Sequence, residues 1–359
     1  MFNVLLLAAL LCYLYFGLWL WRGWRRLGSA IGQAQPFVSV VIAAHNEAEN
    51  LPTLLAALQK QSYPKDLREF IVIDDRSIDG THEVLEKWKR LLPLCSLRID
   101  SVPDGVNPKK FALATGMKHS RGKVIVTTDA DSVPPPRWLE LMASAFEKDV
   151  GAIVGVSPWY AEGKLWGKVI ALESLATTVV SLAGVGHGRP FLAVGRNFAF
   201  RRELFERVNG YDRDMHIFSG DDDLLLQKIS VLPTIRVAVV FSRESIVPSL
   251  GAKNLRAFIH QKRRHISSSK VYPRIVQFAY ALFHLSNLVL WLSPFFIGSK
   301  GFAFLLLKFF VDGLTFHQAL RRCRLAISWK AFVLWEVLFL FTHIFVGPMS
   351  FVGRVRWKT

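Results

Sequence analysis

Long apolar runs occupy both ends of the chain, and between them short apolar segments alternate with amphipathic ones. Residues 1–21 contain no charged side chain, and residues 275–297 contain no acid or base apart from His284. Residues 329–352 are also apolar, with the acid Glu336 inside the run. Each run is long enough to cross a hydrocarbon core of about 30 Å. We therefore predict a transmembrane anchor at residues 1–22 and a C-terminal membrane region at residues 275–353.

The number of C-terminal spans stays open at this point. Residues 302–316 form a shorter apolar run that contains Lys308 and Asp312, so they predict either a third, imperfect helix or an interfacial one. Three arginines follow the first apolar run, and the positive-inside rule then places the next region in the cytoplasm; they are Arg22, Arg25 and Arg26. The interpretation is a multi-pass protein of the plasma (inner) membrane with a cytoplasmic middle region.

The middle region, residues 36–270, predicts an α/β domain. Residues 37–44 and 70–73 are continuous apolar runs of the kind typical of central parallel strands. Residues 47–61 have leucines at helical spacing, and residues 81–92 predict a second helix. This strand, helix, strand succession favours a mostly parallel sheet.

Four polar segments interrupt the middle region, and three of them are acidic. They are Asp74-Asp75, Asp129-Ala130-Asp131, Gly220-Asp221-Asp222-Asp223 and Gln261-Lys262-Arg263-Arg264-His265. The first two directly follow buried strands, and carboxylates at strand ends face the crevice where open α/β sheets bind ligands. Buried carboxylates need a partner, and Mg²⁺ or Mn²⁺ carrying a nucleotide diphosphate fits that need.

Composition excludes several classes of protein. His45-Asn46-Glu47 stands where a dinucleotide-binding protein has its glycine-rich loop. The net charge is +17, but basic residues cluster at membrane-flanking positions and around residues 261–264, and no nucleic-acid-binding module is present in the sequence, which favours membrane lipid and a diphosphate over nucleic acid. Cys12, Cys95 and Cys323 have no paired spacing, so neither a disulfide framework nor a zinc site is predicted.

The order of these motifs resembles the inverting family 2 glycosyltransferases with the GT-A fold. The resemblance extends from about residue 37 to residue 265. It rests on Ala44-His45-Asn46-Glu47, on Asp74-Asp75-Arg76-Ser77-Ile78-Asp79-Gly80-Thr81, on Pro108-Lys109-Lys110-Phe111-Ala112-Leu113 and on the later polar segments. Pro108 stands where the family usually has glycine. His265 replaces the tryptophan of the family's Gln-x-x-Arg-Trp motif, which puts the acceptor geometry in doubt.

The resemblance implies roles for individual residues. It assigns the donor nucleotide-sugar to six residues, which are Glu47, Asp75, Lys109, Asp129, Gln261 and Arg264. It assigns Mg²⁺ or Mn²⁺ to Asp131, and it leaves Asp129 to meet either ribose or Lys109. An Asx turn is the competing interpretation of Asp75, and a lipid-headgroup site is the competing interpretation of Lys262 and Arg263.

The resemblance also implies the catalytic and acceptor residues. It assigns the catalytic base to Asp222, with Asp221 as a supporting acid, although three adjacent carboxylates leave the choice between these two open. Asp223 is expected to start a helix. The acceptor site is expected to include Arg196, Asn197 and His265. Residues 183–188 predict either a mobile loop facing the membrane or an ordinary turn.

The expected function is transfer of a sugar, from a donor expected to be UDP-linked, to a hydroxyl of a lipid or glycolipid at the cytoplasmic membrane face. Three alternatives stay open: a processive polysaccharide synthase, a polyprenyl-phosphate glycosyltransferase, and an inactive nucleotide-sugar-binding membrane scaffold. The sequence predicts no nucleic-acid partner and leaves the sugar, the acceptor and the oligomeric state undetermined.

Overall fold

A seven-stranded sheet forms the centre of the protein. The computed structural model describes residues 2–30, 32–160, 164–323 and 328–352. The strand order in the large sheet is β3-β2-β1-β4-β7-β5-β8, and β6 pairs with β9 in a small second sheet. The strands are β1 Val38–Ala44, β2 Arg68–Asp75, β3 Leu94–Ile99, β4 Val124–Thr127, β5 Val150–Val154, β6 Trp159–Tyr160, β7 Phe198–Arg201, β8 Arg236–Ala238 and β9 Ser249–Leu250.

The large sheet is mostly parallel. Strand β1 runs parallel to β2 and β4, and the pairs β2–β3 and β5–β8 are also parallel. Strand β7 alone runs antiparallel, between β4 and β5. The carboxyl ends of β2 and β4 therefore meet at one edge of the sheet, which places Asp75 and the segment from Asp129 on that edge. The predicted α/β fold class is confirmed.

Helices cover both faces of the sheet and extend into an apolar bundle. They are α1 Phe2–Arg26, α2 Leu51–Gln59, α3 Thr81–Trp88, α4 Pro108–His119, α5 Trp138–Ser144, α6 Lys164–Gly186, α7 Arg202–Arg207, α8 Asp223–Ser230, α9 Leu255–Ser267, α10 Arg274–Ile297, α11 Ser299–Cys323, α12 Trp329–Phe341 and α13 Gly347–Phe351. A π-helical turn at Thr342–Val346 joins α12 to α13.

Two hydrophobic cores sandwich the sheet. The side chains of β1 alternate between them, because successive residues of a strand point to opposite faces. Val40 and Ile42 enter the core that includes the leucines of α2, whereas Val41 and Ala43 enter the core that includes α4, α6 and α8. The continuous apolar run of the sequence is thus explained by burial of β1 on both sides.

Five helices in the described part of the chain are long and apolar enough to cross a membrane. In four of them, α1, α10, α11 and the continuous run from α12 to α13, less than a third of the apolar window is buried within the protein, which leaves surface available for lipid. The short apolar run at residues 302–316 lies inside the 25-residue α11. The fifth helix, α6, is 67% buried within the protein, so packing against other helices explains its apolar surface.

The prediction of a loop or turn at residues 183–188 is wrong for residues 183–186, which form the end of α6. The glycines there allow α1 and α6 to cross closely. A Cβ atom on Gly186 would lie 2.0 Å from the carbonyl oxygen of Gly23, and one on Gly23 would lie 2.6 Å from the carbonyl oxygen of Ala183. Small residues of this kind let helix backbones approach each other.

A buried ionic cluster ties the apolar helices together. Lys308 of α11 forms ion pairs with Glu336 of α12 and, at 2.9 Å, with Asp312. The Tyr13 hydroxyl of α1 donates to Asp312 at 2.8 Å. Ionisable groups at such positions need one another as partners. The cluster therefore fixes α1, α11 and α12 relative to one another.

Candidate active site

The end of β4 and the start of α8 are joined through Gly195. The Thr127 hydroxyl donates to the Gly195 carbonyl at 2.8 Å, and the Gly195 amide donates to the Asp222 carboxylate at 2.6 Å. A Cβ atom on Gly195 would lie 3.2 Å from Asp222 Oδ2 and 3.4 Å from Asp221 Oδ2. The absence of a side chain here thus lets both carboxylates approach the backbone at the end of the sheet.

Lys109 connects two of the acidic segments. Its ammonium lies 3.1 Å from Asp129 and 2.9 Å from Asp221. Lys109 occupies the first turn of α4, whose start is fixed because the Asn107 side chain accepts from the amide of Lys110. Pro108 stands at a first-turn position that suits proline. The structure therefore brings three residues predicted from separate motifs into one cluster.

The three clustered acids have different pKa values. Burial raises the pKa of Asp222, and the neighbouring Asp221 charge raises it further, to about 6. Burial also raises the pKa of Asp129 and Asp221, but the charge and hydrogen bond of Lys109, together with other nearby cations, outweigh burial and hold both pKa values below their usual range. Asp222 is thus the acid of the cluster whose pKa lies nearest neutrality, which suits a proton acceptor.

Asp223 is held by hydrogen bonds within the protein. It is the first residue of α8, as predicted. Its carboxylate accepts from the amide of Ala193 at 2.8 Å and from the Tyr272 hydroxyl. Burial, followed by the charge of Asp222, raises its pKa well above the usual range. Both carboxylate oxygens of Asp223 are thus engaged by the protein itself.

Helix α9 presents the last polar segment to the same site. Gln261, Arg264 and His265 all line the cavity described below. The Gln261 Oε1 atom is buried and has no hydrogen-bond partner among the described residues. A buried carbonyl oxygen normally accepts a hydrogen bond, and the hydroxyl or amide of a bound ligand could donate it.

An unpredicted tryptophan accompanies His265. The indole ring of Trp159 in β6 lies 5.8 Å from the His265 ring, and the Arg196 guanidinium lies 5.2 Å from the Trp159 ring. Arg196 also donates to the Ser157 hydroxyl and carbonyl, both at 3.0 Å. An aromatic wall therefore exists beside His265, but Trp159 comes from a distant segment with no motif of its own.

Two predicted residues do not share this cluster. Asn197 is fully buried; its amide accepts from the Trp138 indole and donates to the carbonyls of Val156 and Ser245. All these bonds are internal, so the structure gives Asn197 a packing role in place of the expected acceptor contact. Asp75 is buried at the end of β2, where its carboxylate accepts twice from the Arg76 guanidinium, at 2.7 and 3.2 Å.

Asp131 and Glu47 lie at the wall of the cavity. The Asp131 carboxylate accepts from the Ser249 hydroxyl at 2.8 Å. Within the described residues, no group of three or more His, Cys, Asp or Glu side chains could hold a metal ion. A metal ion at Asp131 would therefore take only one or two ligands from the described carboxylates, and Mg²⁺ commonly takes its remaining ligands from phosphate and water.

One cavity of about 1450 Å³ connects the acidic cluster to the apolar helices. Its polar end includes Lys109, Asp222 and Arg264. Its other end includes Phe16 of α1 and Phe283 of α10. A ligand in this cavity can therefore contact charged groups at the sheet edge and apolar side chains of the bundle at the same time.

Comparison with known proteins matches most of the chain to glycosyl transferases. Residues 39–208 match the family described as Glycosyl transferase family 2, and residues 124–346 match Glycosyl transferase family group 2. A Bacillus subtilis protein named Probable glycosyltransferase YdaM is 30% identical over 181 residues, 49% of this chain and 43% of that protein. The Dolichol-phosphate mannosyltransferase of Pyrococcus furiosus is 28% identical over 181 residues, 48% of each chain.

A solved structure has a similar fold along most of the chain. The mannosyltransferase from Pyrobaculum calidifontis in complex with GDP-Man and Mn²⁺ superposes with a TM-score of 0.61 at 20% identity, covering 95% of this chain and 99% of that one. The matched segments span less than half the length of the two sequence relatives described above. The solved structure therefore shows a similar fold, whereas the family membership rests on the sequence matches.

Proposed function

The chain belongs to glycosyl transferase family 2, and from that membership we propose that it transfers a sugar from a nucleotide-sugar to a hydroxyl of a membrane lipid or glycolipid. One observation carries the proposal. A single cavity contains both the charged cluster around Asp222 and apolar side chains of α1 and α10. A nucleotide diphosphate suits the charged end, and the lipid part of an acceptor suits the apolar end.

The donor occupies the charged end in this proposal. Lys109 and Arg264 offset the charge of the diphosphate, and the unpartnered Gln261 oxygen accepts from a donor hydroxyl. Asp131 would hold Mg²⁺ or Mn²⁺, which would neutralise part of the diphosphate charge, while Asp129 stays paired with Lys109. The donor is UDP-linked on the motif resemblance, and GDP-mannose is the second donor to examine because it is bound in the Pyrobaculum calidifontis mannosyltransferase.

Asp222 is the catalytic base of the proposed reaction. Its carboxylate takes the proton of the acceptor hydroxyl as the oxygen forms a bond to the anomeric carbon. The bond from that carbon to the diphosphate oxygen breaks in the same step, so the anomeric configuration inverts. The electron pair leaves with the nucleotide diphosphate, whose developing charge faces Arg264. Asp221 and Asp129 stay ionised beside Lys109 and hold it in place.

A polyprenyl phosphate acceptor is the second candidate. The relative from Pyrococcus furiosus is named as a dolichol-phosphate mannosyltransferase. Such an acceptor is already an anion at neutral pH, so its reaction needs no base. Loss of activity on replacing Asp222 is therefore expected for a hydroxyl acceptor and is not expected for a polyprenyl phosphate.

The test is nucleotide release by the full-length protein in detergent, with UDP-sugars and GDP-mannose, Mn²⁺ or Mg²⁺, and either a membrane lipid extract or a polyprenyl phosphate. Asp222→Asn and Asp131→Asn are compared with Asp149→Asn, a matched change in an exposed surface ion pair with Arg236. Lipid-dependent release that Asp222→Asn abolishes supports a hydroxyl acceptor. Release with polyprenyl phosphate that survives Asp222→Asn supports the second candidate. No release with any donor, from protein that binds the nucleotides, contradicts both and favours a scaffold.

A further inference from the structure

A buried glutamate joins three helices beside the cavity. Glu173 lies in the middle of α6, and its side chain is 3% exposed. One carboxylate oxygen lies 2.5 Å from the Lys262 ammonium of α9, and the other accepts from the Trp335 indole of α12 at 2.8 Å. Both oxygens are therefore engaged, one by a helix of the candidate active site and one by a helix of the apolar bundle.

Three adjacent basic residues of α9 point in different directions. Lys262 reaches Glu173 on α6, whereas the Arg263 guanidinium donates to the carbonyls of Met349 at 3.1 Å and Val352 at 3.2 Å. Arg264 lines the cavity and contacts His265 at 3.2 Å. The helix is thus held on two sides by its neighbours, and the third side carries Arg264 into the site.

A second contact fixes the same pair of helices. Phe258 of α9 is fully buried and packs edge to face with Trp166 of α6, with ring centroids 6.1 Å apart. Phe258 and Lys262 are four residues apart, so they lie on one face of α9. The Phe258 contact is apolar, whereas the ion pair joins one atom of α9 to one atom of α6 at a defined distance. Together the two contacts set the register of α9 against α6.

We propose that Glu173 is a positioning residue for the transfer reaction: through Lys262 it fixes the rotation of α9 and so the placement of Arg264 in the site. This proposal rests on the proposed function. Arg264 follows Lys262 by two residues on a rigid helix, so loss of the ion pair frees the guanidinium to leave the diphosphate position. Glu173 and Lys262 both line the cavity without contacting the acidic cluster.

The first measurement is hydrogen–deuterium exchange of the full-length protein. Glu173→Gln keeps the side-chain volume but removes the charge, and Lys262→Met removes the other half of the pair. Each is expected to raise amide exchange in residues 255–267 without changing exchange in the strands. Glu244→Gln is the matched control, because Glu244 belongs to an exposed ion pair with Arg137. Unchanged exchange in residues 255–267 would overturn the proposal whether or not the chain transfers sugar.

The second measurement is turnover of whichever donor supports nucleotide release. Glu173→Gln is expected to lower kcat/KM by about tenfold, the size of one charged hydrogen bond. In an Arg264→Met background the same change is expected to cost less than about twofold, because contacts that act through one another are not additive. Full additivity would show that Glu173 acts independently of Arg264. A rise in acceptor KM alone for Lys262→Met would instead make Lys262 an acceptor-binding residue and overturn the positioning role.

Discussion

Lys109 and Asp221 form an ion pair of 2.9 Å that links the first turn of α4 to the segment before α8. Lys109 also lies 3.1 Å from Asp129 after β4. Burial lowers the pKa of Lys109, but Asp129 and Asp221 together raise it above its usual value, so the residue stays a cation. One ammonium thus balances two carboxylates before any ligand binds.

Replacing Lys109 with Met should destabilise the protein most at neutral pH. The pKa values of Asp129 and Asp221 are held below their usual range in the folded protein. Groups of this kind stabilise the fold fully above their unfolded pKa of about 4, and the contribution is lost as the pH falls through their lower folded pKa values. We expect Tm to fall by about 5 °C at pH 7 and by less at pH 3. Thermal unfolding at both values measures this, with Lys109→Arg as the charge-conserving control; an equal loss at both pH values would contradict the ion-pair explanation.

Transfer to a hydroxyl acceptor should depend on pH through Asp222. Burial and the Asp221 charge raise the pKa of Asp222 to about 6. A base must be deprotonated to accept a proton, so kcat/KM should fall about tenfold for each pH unit below that value. Initial rates between pH 5 and pH 8 test this. In Asp221→Asn, loss of the neighbouring charge should move the acid limb to lower pH; a limb that stays in place would assign it to another group.

Asn197 and Arg196 are adjacent but should respond differently to substitution. Asn197→Ala leaves the Trp138 indole and the carbonyls of Val156 and Ser245 without their partner. Each unsatisfied buried group costs about 1–3 kcal/mol, so the free energy of unfolding should fall by several times RT. Arg196→Met should instead raise acceptor KM, because Arg196 lines the cavity, with a smaller loss of stability from its two hydrogen bonds to Ser157. Denaturation and acceptor titration of the two variants separate these outcomes, and equal stability losses would contradict them.

Adding a methyl group where α1 and α6 cross should lower the stability of the protein. In Gly186→Ala the new Cβ would lie 2.0 Å from the carbonyl oxygen of Gly23, so the helices must separate. Overpacking of this kind costs about 1–3 kcal/mol. Gly28→Ala is the matched control, since nothing lies within 4 Å of a Cβ at that position. Tm in detergent should fall for the first variant only.

The sequence identified the residues that carry local patterns. The apolar runs predicted β1 and β2 because burial on both faces removes alternation. The family motifs predicted Lys109, Asp129 and Asp222 because the resemblance assigns a role to each of these positions. Glu173 and Trp159 were missed, since their partners lie in distant segments and neither belongs to a motif. The glycines near Gly186 were misinterpreted as a loop, because glycine serves turns and close helix packing equally well.

The hydrogen bond from Tyr13 to Asp312 joins residues 299 positions apart in the chain. Helix α1 precedes its partners α10 and α11 by the whole sheet domain. The cavity wall that these helices form is therefore complete only once α10 and α11 have been made. Contacts of such long sequence separation form slowly. A chain that stops before α10 would carry every motif of the family resemblance and still lack one wall of the cavity proposed to hold the acceptor.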